Sequence, residues 1–362
     1  MPTIDPWGAE LPAEYERIVT SFGLEQFSPT IFPEPNRLMR RGVVFGGRDL
    51  KIIADCIRNK KPFYALSGIM PSADKIHFGN KIVVENLRYF QDHGGHTVIL
   101  IADLEAGCTR GVTLEDARRR AMEFHIPAYL ALGLDPKKTV FYFQSENKAV
   151  MNLGYEFAKK ITLNEFEAIY GAADPGRIMA AVTQAGDMVY PQLATRMPGI
   201  IPVGVDQDPH LRLCRDVVAR TKTKYNFFPP SSLYHKFTPS LDGDLKMSKS
   251  KPGSAIELPE EPAVVCKKLK NALSGGRDTL DEHRRLGGQP EKDMVFELMK
   301  QHLVEDDVEL QRIYAQYKSG KLLSGELKQM GCDLITEFMT DFTKKLDKAR
   351  KQVGKLHFVK FG

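Results

Sequence analysis

Phe63-Tyr64-Ala65-Leu66-Ser67-Gly68-Ile69-Met70-Pro71-Ser72-Ala73-Asp74-Lys75-Ile76-His77-Phe78-Gly79-Asn80 is the stretch on which the fold turns. Its first five residues are a short apolar run and predict a buried strand. A helix is expected from about Asp74 to Asp92, so His77-Phe78-Gly79-Asn80 reads as a glycine-containing first helical turn just after that strand. Downstream the alternation repeats. Thr97–Ala102 is a β-branched apolar run and a second inner strand, and Thr113–Leu132 is a charged amphipathic helix. Thr139–Phe143 predicts a third strand, and two helices cover about 147–170. Asp174-Pro175 and Asp208-Pro209 each pair a capping residue with a first-turn proline and open helices on either side of a fourth strand, Ile200–Val203. Strands alternating with helices predict an α/β fold with a parallel sheet covered on both faces.

Upstream, residues 1–60 are punctuated by Pro and Gly and read as an N-terminal extension with a hairpin over Arg41–Asp49. Residues 61–258 form the sheet domain. Beyond about Pro259 strand signals stop, and 259–362 read as a separate helical domain with a break at Ser274-Gly275-Gly276. Hydrophobic residues are 42% and charged residues 27% of the 362, as in soluble globular proteins. No run approaches a membrane span and no signal pattern opens the chain. The five cysteines are scattered, which argues for a reducing compartment and against structural zinc or an iron–sulfur cluster. Net charge is 51 − 46 = +5, with Lys344, Lys345, Lys348, Arg350, Lys351, Lys355 and Lys360 concentrated late. That run reads equally as a solvated helix face or as a patch facing RNA.

The chemistry-bearing segments lie far apart in sequence. Lys246-Met247-Ser248-Lys249-Ser250 is a cationic, hydroxyl-bearing loop preceded by Asp242-Gly243-Asp244. With His77 and Asn80, three apart, it reads as two halves of a triphosphate clamp. In an open α/β fold, helix N-termini at the carboxyl ends of strands point their N–H groups at ligands. Gly79 lets a flat purine approach the backbone. Lysines on such a loop stabilise phosphate charge by position alone, without a covalent nucleophile. No Gly-x-x-x-x-Gly-Lys-Ser/Thr run is present, which argues against a P-loop. Gly204-Val205-Asp206-Gln207 suits a sugar and a small polar ligand, or is an ordinary capped strand-to-helix connection. Gln184 and Asp187 share a helix face with apolar neighbours. A carboxylate there needs a partner, either a protein cation or a ligand N–H.

Together these residues resemble the class I aminoacyl-tRNA synthetases, and within them the tryptophanyl enzymes of the archaeal/eukaryotic branch. The resemblance covers essentially the whole chain. His77–Asn80 is similar to the HIGH signature, with Asn80 in place of its second His, and Lys246–Ser250 matches KMSKS letter for letter. Pro202–Leu213 is similar to the family's VGxDQ segment, with Asp208-Pro209 in the archaeal/eukaryotic form. Asp5-Pro6-Trp7, Arg41–Asp49, Ile161–Asn164 and Ser274–Gly276 recur in similar positions. Eukaryotic members use a Tyr and a Gln around the indole, where this chain has Leu66 and Leu100. Gln184-Ala185-Gly186-Asp187 instead resembles the bacterial MAAD helix, whose Asp accepts the indole N–H.

The resemblance implies a Rossmann-like catalytic domain, a helical anticodon-binding domain, and a cytoplasmic homodimer that uses ATP with Mg²⁺, L-tryptophan and tRNA(Trp). His77, Asn80, Lys246 and Lys249 would stabilise the phosphates. Gly79, Gly204, Asp206, Met247, Ser248 and Ser250 would hold ATP. Glu105, Gln184, Asp187, Gln207 and Leu66 would hold tryptophan. No protein metal site is expected, nor an editing domain. A tyrosyl enzyme is the alternative, since those carry an Asp at a similar place. A different nucleotidylyltransferase with the same phosphate clamp, or a non-catalytic RNA-binding relative, are the readings from other classes.

Overall fold

The computed structural model describes residues 15–172, 174–247, 251 and 253–359. Asp5-Pro6-Trp7, Ser248, Lys249, Ser250 and Lys360 lie outside the described residues. The strands, in chain order, are Glu25–Gln26 (β1), Val44–Arg48 (β2), Tyr64–Ile69 (β3), Ile76–His77 (β4), His96–Ile101 (β5), Thr139–Phe143 (β6), Gly199–Gly204 (β7), Ser231–His235 (β8) and Glu257–Leu258 (β9). Two compact units share the chain. Unit 1 takes Met1–Asp74, Val83–Lys236 and Lys351–Gly362; unit 2 takes Lys75–Ile82 and Phe237–Arg350. The boundaries expected at 60, 258 and 362 are therefore redrawn. Among the described residues, 75–82 and those of 237–258 group with the helices, and 351–359 group with the sheet.

Unit 1 is built on a seven-stranded sheet ordered β1-β2-β8-β7-β3-β5-β6. Strands β8, β7, β3, β5 and β6 run parallel, while β1 and β2 add antiparallel pairs at one end. From β3 the chain builds outward through β5 and β6, then returns to the other side of β3 for β7. Such a reversal opens a crevice at the carboxyl ends of the two strands that flank it, here β3 and β7. Tyr64, Ala65 and Leu66 of β3, and Ile99, Leu100 and Ile101 of β5, are all buried, as a sheet covered on both faces requires.

Three features depart from expectation. The Arg41–Asp49 segment is not a local hairpin. Gly42, at φ 65, closes a turn after the helix Arg37–Arg40, and β2 leaves it as a single strand paired with distant β1 and β8. Strand β8 has no apolar signature at its start, because Ser231 and Ser232 are buried in it. The chain end also returns to the sheet. Phe358 bridges Phe141, the Phe141 N–H donates to the His357 carbonyl at 3.3 Å, and the Val359 N–H donates to the Phe141 carbonyl at 2.9 Å. The Phe358 ring stacks 5.8 Å from Phe143. This segment covers the edge of β6, whose unpaired backbone groups would otherwise be open to another chain.

Among its described residues, unit 2 has helices and the two-residue strand pair β4–β9, in which His77 faces Glu257. Its long helix Ser324–Arg350 buries Leu327, Gly331, Ile335, Met339, Phe342, Leu346 and Ala349, a three-and-four spacing that puts one stripe against its neighbours. The opposite face carries Lys344 and Lys348 of the late basic run. Lys345 pairs with Asp341 and Arg350 with Asp347, while Lys344, Lys348, Lys351 and Lys355 are exposed. The break at Ser274-Gly275-Gly276 has a packing cause. A Cβ on Gly275 would stand 2.0 Å from the Gln289 carbonyl oxygen, and the Gly275 N–H donates to Asp293 at 2.9 Å.

Candidate functional site

In unit 2 the signature segment forms a self-fixed turn. His77 is the last residue of β4, not a helical residue, and the helix Phe78–Asp92 starts directly after it. The His77 N–H donates to the Asn80 side-chain oxygen at 3.1 Å, and the Gly79 N–H donates to His77 Nδ1 at 3.0 Å. With Nδ1 accepting, a neutral His77 ring carries its proton on Nε2. Asn80 thus serves as a cap through its oxygen and turns its amide nitrogen the other way. Gly79 is needed for a reason the sequence did not reveal: a Cβ there would stand 2.7 Å from His77 Cε1. Phe78 is fully buried, 4.5 Å from the His302 ring and 5.4 Å from Phe338, and anchors the turn.

The signature loop is described up to Met247 and again at Lys251. Lys246 Nζ lies 5.0 Å over the Phe237 ring. Met247 is 1% exposed, its N–H donates to the Thr238 carbonyl, and its sulfur accepts from Ile256 N–H. Its side chain therefore anchors the loop and leaves only main-chain atoms for a nucleotide. Lys251 pairs with Asp244, and Asp242 lies 3.7 Å away, so the acidic turn and the far end of the loop are tied together.

In unit 1 the expected amino-acid residues gather at the carboxyl ends of the strands. Gly204 ends β7, and Asp206 follows it, 8% exposed. Gln207 precedes the helix Asp208–Arg220 and accepts from Gln184 Nε2 at 3.5 Å. The other amide oxygen of this pair, Gln184 Oε1, is buried without a hydrogen-bond partner. Glu105 lies in the helix Asp103–Arg110, directly after β5. Asp208 is fully buried and holds β2 and β8 to its helix. It accepts from Arg48 at 2.9 Å and Tyr234 at 2.6 Å, and Arg212 Nε lies 2.9 Å from its other oxygen.

Asp187, on the helix Pro175–Val189, is fully buried. It makes no ion pair among the described residues. Instead Tyr142 OH donates to Oδ1 at 2.7 Å and Gln144 Nε2 donates to Oδ2 at 2.5 Å. Burial pushes its carboxyl up to about 7, against the pull of those two donors. The protein-cation partner that the sequence left open is thus absent there. Parallel register sets Leu66 beside Val98, Gly68 beside Leu100, and Leu100 beside Tyr142. Leu66, Leu100 and Tyr142 therefore share the sheet face on which Asp187 lies.

Sequence reasoning missed Tyr142 and Gln144. The available signal was two polar residues, two apart, ending an otherwise apolar strand. It also missed Tyr170, whose hydroxyl lies 2.9 Å from His210 Nδ1 in a buried pair; burial lowers His210 to about 3, so its ring is neutral.

Residues 58–340 match the family model of class I tRNA synthetases (W and Y). The chain is 39% identical over 363 residues to the tryptophan–tRNA ligase of Methanocaldococcus jannaschii, covering 98% of this chain and 97% of that protein. It is 42% identical over 364 residues to that of Aeropyrum pernix, covering 98% and 97%. The crystal structure of the Aeropyrum pernix tryptophanyl-tRNA synthetase superposes with a TM-score of 0.90 at 41% identity, covering 99% of this chain and all of that one. A tryptophanyl-tRNA synthetase from Encephalitozoon cuniculi bound to tryptophan superposes with a TM-score of 0.84 at 28% identity, covering 96% and 98%.

Proposed function

The chain belongs to the class I tRNA synthetases of the tryptophan and tyrosine family, in the archaeal-type tryptophanyl branch, and from that premise we propose how its residues perform tryptophan–tRNA ligation. A tryptophan carboxylate oxygen attacks the α-phosphorus of ATP. The bond to the β-phosphate oxygen breaks, and pyrophosphate leaves with the electron pair. A ribose hydroxyl at the 3′ end of tRNA(Trp) then attacks the adenylate carbonyl, loses its proton, and AMP departs. No protein nucleophile is needed.

Unit 1 holds the amino acid. Asp187 accepts the indole N–H. Leu66 and Leu100 supply apolar contact to the ring. Glu105, Gln207 and the unpartnered Gln184 oxygen take the ammonium. Gly204 and Asp206 take the adenosine. Unit 2 supplies the phosphate donors: His77 through Nε2–H, Asn80 through its amide nitrogen, Lys246 and Lys249, with Ser248, Ser250 and main-chain atoms around Gly79 and Met247. These groups are worth most where negative charge grows in the transition state. No cluster of three or more His, Cys, Asp or Glu able to hold a metal occurs among the described residues. Mg²⁺ would arrive with the substrate, on the ATP phosphates. No helix among the described residues is long and apolar enough to cross a membrane. A cytoplasmic homodimer completes the proposal.

One observation carries the tryptophan assignment. A fully buried carboxylate has only neutral donors on it, so a ligand N–H adds a hydrogen bond where no cation competes. The test is Asp187→Asn, measured with tryptophan and with an analogue whose ring nitrogen is replaced by sulfur. The loss of kcat/KM should be large for tryptophan and small for the analogue. Equal losses would remove Asp187 from indole recognition.

A further inference from the structure

Gln144 sits at the end of β6, fully buried. Its two amide ends face opposite partners. Nε2 donates to Asp187 Oδ2 at 2.5 Å, and Oε1 accepts the Glu105 N–H at 3.4 Å. A carboxylate only accepts and a backbone N–H only donates, so the amide orientation is fixed by its neighbours. The next residue strengthens the same tie. Ser145 N–H and Oγ both donate to Asp103, in the helix that carries Glu105, at 3.1 Å and 2.5 Å. The carboxyl end of β6 thus holds two helices at once, one bearing the proposed indole acceptor and the other the proposed ammonium acceptor.

We infer that Gln144 is a positioning residue for tryptophan selection: one amide sets Asp187 and Glu105 at a fixed separation and keeps the Asp187 carboxylate a ready acceptor for the indole N–H. The inference rests on the assignment of those two side chains to the substrate. Groups acting on Asp187 come from two elements. Tyr142 and Gln144, at the end of β6, donate to it; Glu105 and Asp103, on their helix, disfavour its charge. With no cation among them, the two neutral donors are the local groups that favour ionisation. Indole is a third donor, so tryptophan binds best to the ionised carboxylate and favours loss of its proton. Removing the Gln144 donor raises the pH at which that state is reached.

Steady-state kinetics of pyrophosphate exchange across pH 5.5–9 test this with two variants. Gln144→Met keeps volume and removes both polar ends. KM for tryptophan should rise roughly ten- to hundredfold at pH 7, the loss of one hydrogen bond to a charged group, with little change in kcat. The rise should shrink toward pH 9, and it should be smaller for the sulfur analogue, which keeps the ammonium but has no ring N–H. Gln144→Glu places two carboxyl groups together, which share one proton at lower pH and repel once it leaves. A protonated Glu can donate to Asp187 and accept from Glu105, so this variant should approach wild type near pH 6 and fail near pH 9, reversing the wild-type trend. A residue that only filled space would shift neither profile. Wild-type pH profiles in both variants would overturn the inference, as would global unfolding of both, which would make Gln144 structural. Asp187→Asn keeps the outcomes separate. If it discriminates between tryptophan and the analogue while both Gln144 variants behave as wild type, only the present inference fails. If it does not discriminate, the assignment beneath it fails.

Discussion

At the residue scale, the molecule uses burial to set the properties of single groups. The Asp187 carboxyl would titrate near 3.8 in the unfolded chain and is pushed up to about 7 in the folded one. The folded state therefore binds this proton more tightly. The contribution of Asp187 to stability is most favourable below about pH 4 and is lost as pH rises to about 7. Asp187→Asn cannot titrate. The difference in urea unfolding free energy, variant minus wild type, should climb across that window and then level off; a difference constant with pH would show that the proton is not held. Gly79 gives a second prediction. Alanine is the better helix former by up to about 1 kcal/mol, so Gly79→Ala should leave stability unchanged or raised. The same Cβ must displace the His77 ring. Single-turnover adenylate formation should then fall by roughly a hundredfold, the loss expected for one misplaced transition-state donor. An unchanged rate would mean that the ring is not held by this turn.

At the element scale, contiguous signals were legible and assembled ones were not. The strands β3, β5, β6 and β7 and their helices follow from apolar runs and capping pairs. His77–Asn80 and Lys246–Met247 stand out because their chemistry lies in consecutive residues. Tyr142 and Asp187 are forty-five residues apart and meet only through packing, so their bond has no sequence signature. Strand β8 was hidden by buried serines, and β2 by partners far away in the chain. The chain terminus shows how an element can mislead. From sequence, the basic run reads as a solvated helix face or a patch facing RNA, within a helical domain separate from the sheet. Residues 357–359 pair with β6, whose Tyr142, and Gln144 just after the strand, donate to Asp187. Deleting residues 356–362, which leaves the basic helix intact, should therefore uncover that edge, lower the melting temperature by a few degrees for ~1 kcal/mol, and raise KM for tryptophan in pyrophosphate exchange without tRNA. Unchanged exchange would limit the terminal segment to a cover.

At the scale of the whole molecule, the homodimer is the proposed assembly. Exposed Tyr155, Leu163, Met179 and Leu193 lie on or next to the helices Lys148–Ala158, Leu163–Tyr170 and Pro175–Val189 and are proposed as apolar contacts of that assembly. Light scattering at micromolar concentration and physiological salt should return about twice the chain mass of 40.7 kDa; a monomer would remove the dimer. The late basic run, exposed at Lys344 and Lys348 of the long helix and at Lys351 and Lys355 after it, is proposed to meet tRNA, which would make charging more salt-sensitive than activation. The central claim is that this chain activates tryptophan. ATP–pyrophosphate exchange by the purified protein, with each of the twenty amino acids in turn, tests it most directly. The account predicts exchange with tryptophan and background with the rest, tyrosine included, whereas faster exchange with tyrosine, or none with any amino acid, would contradict it.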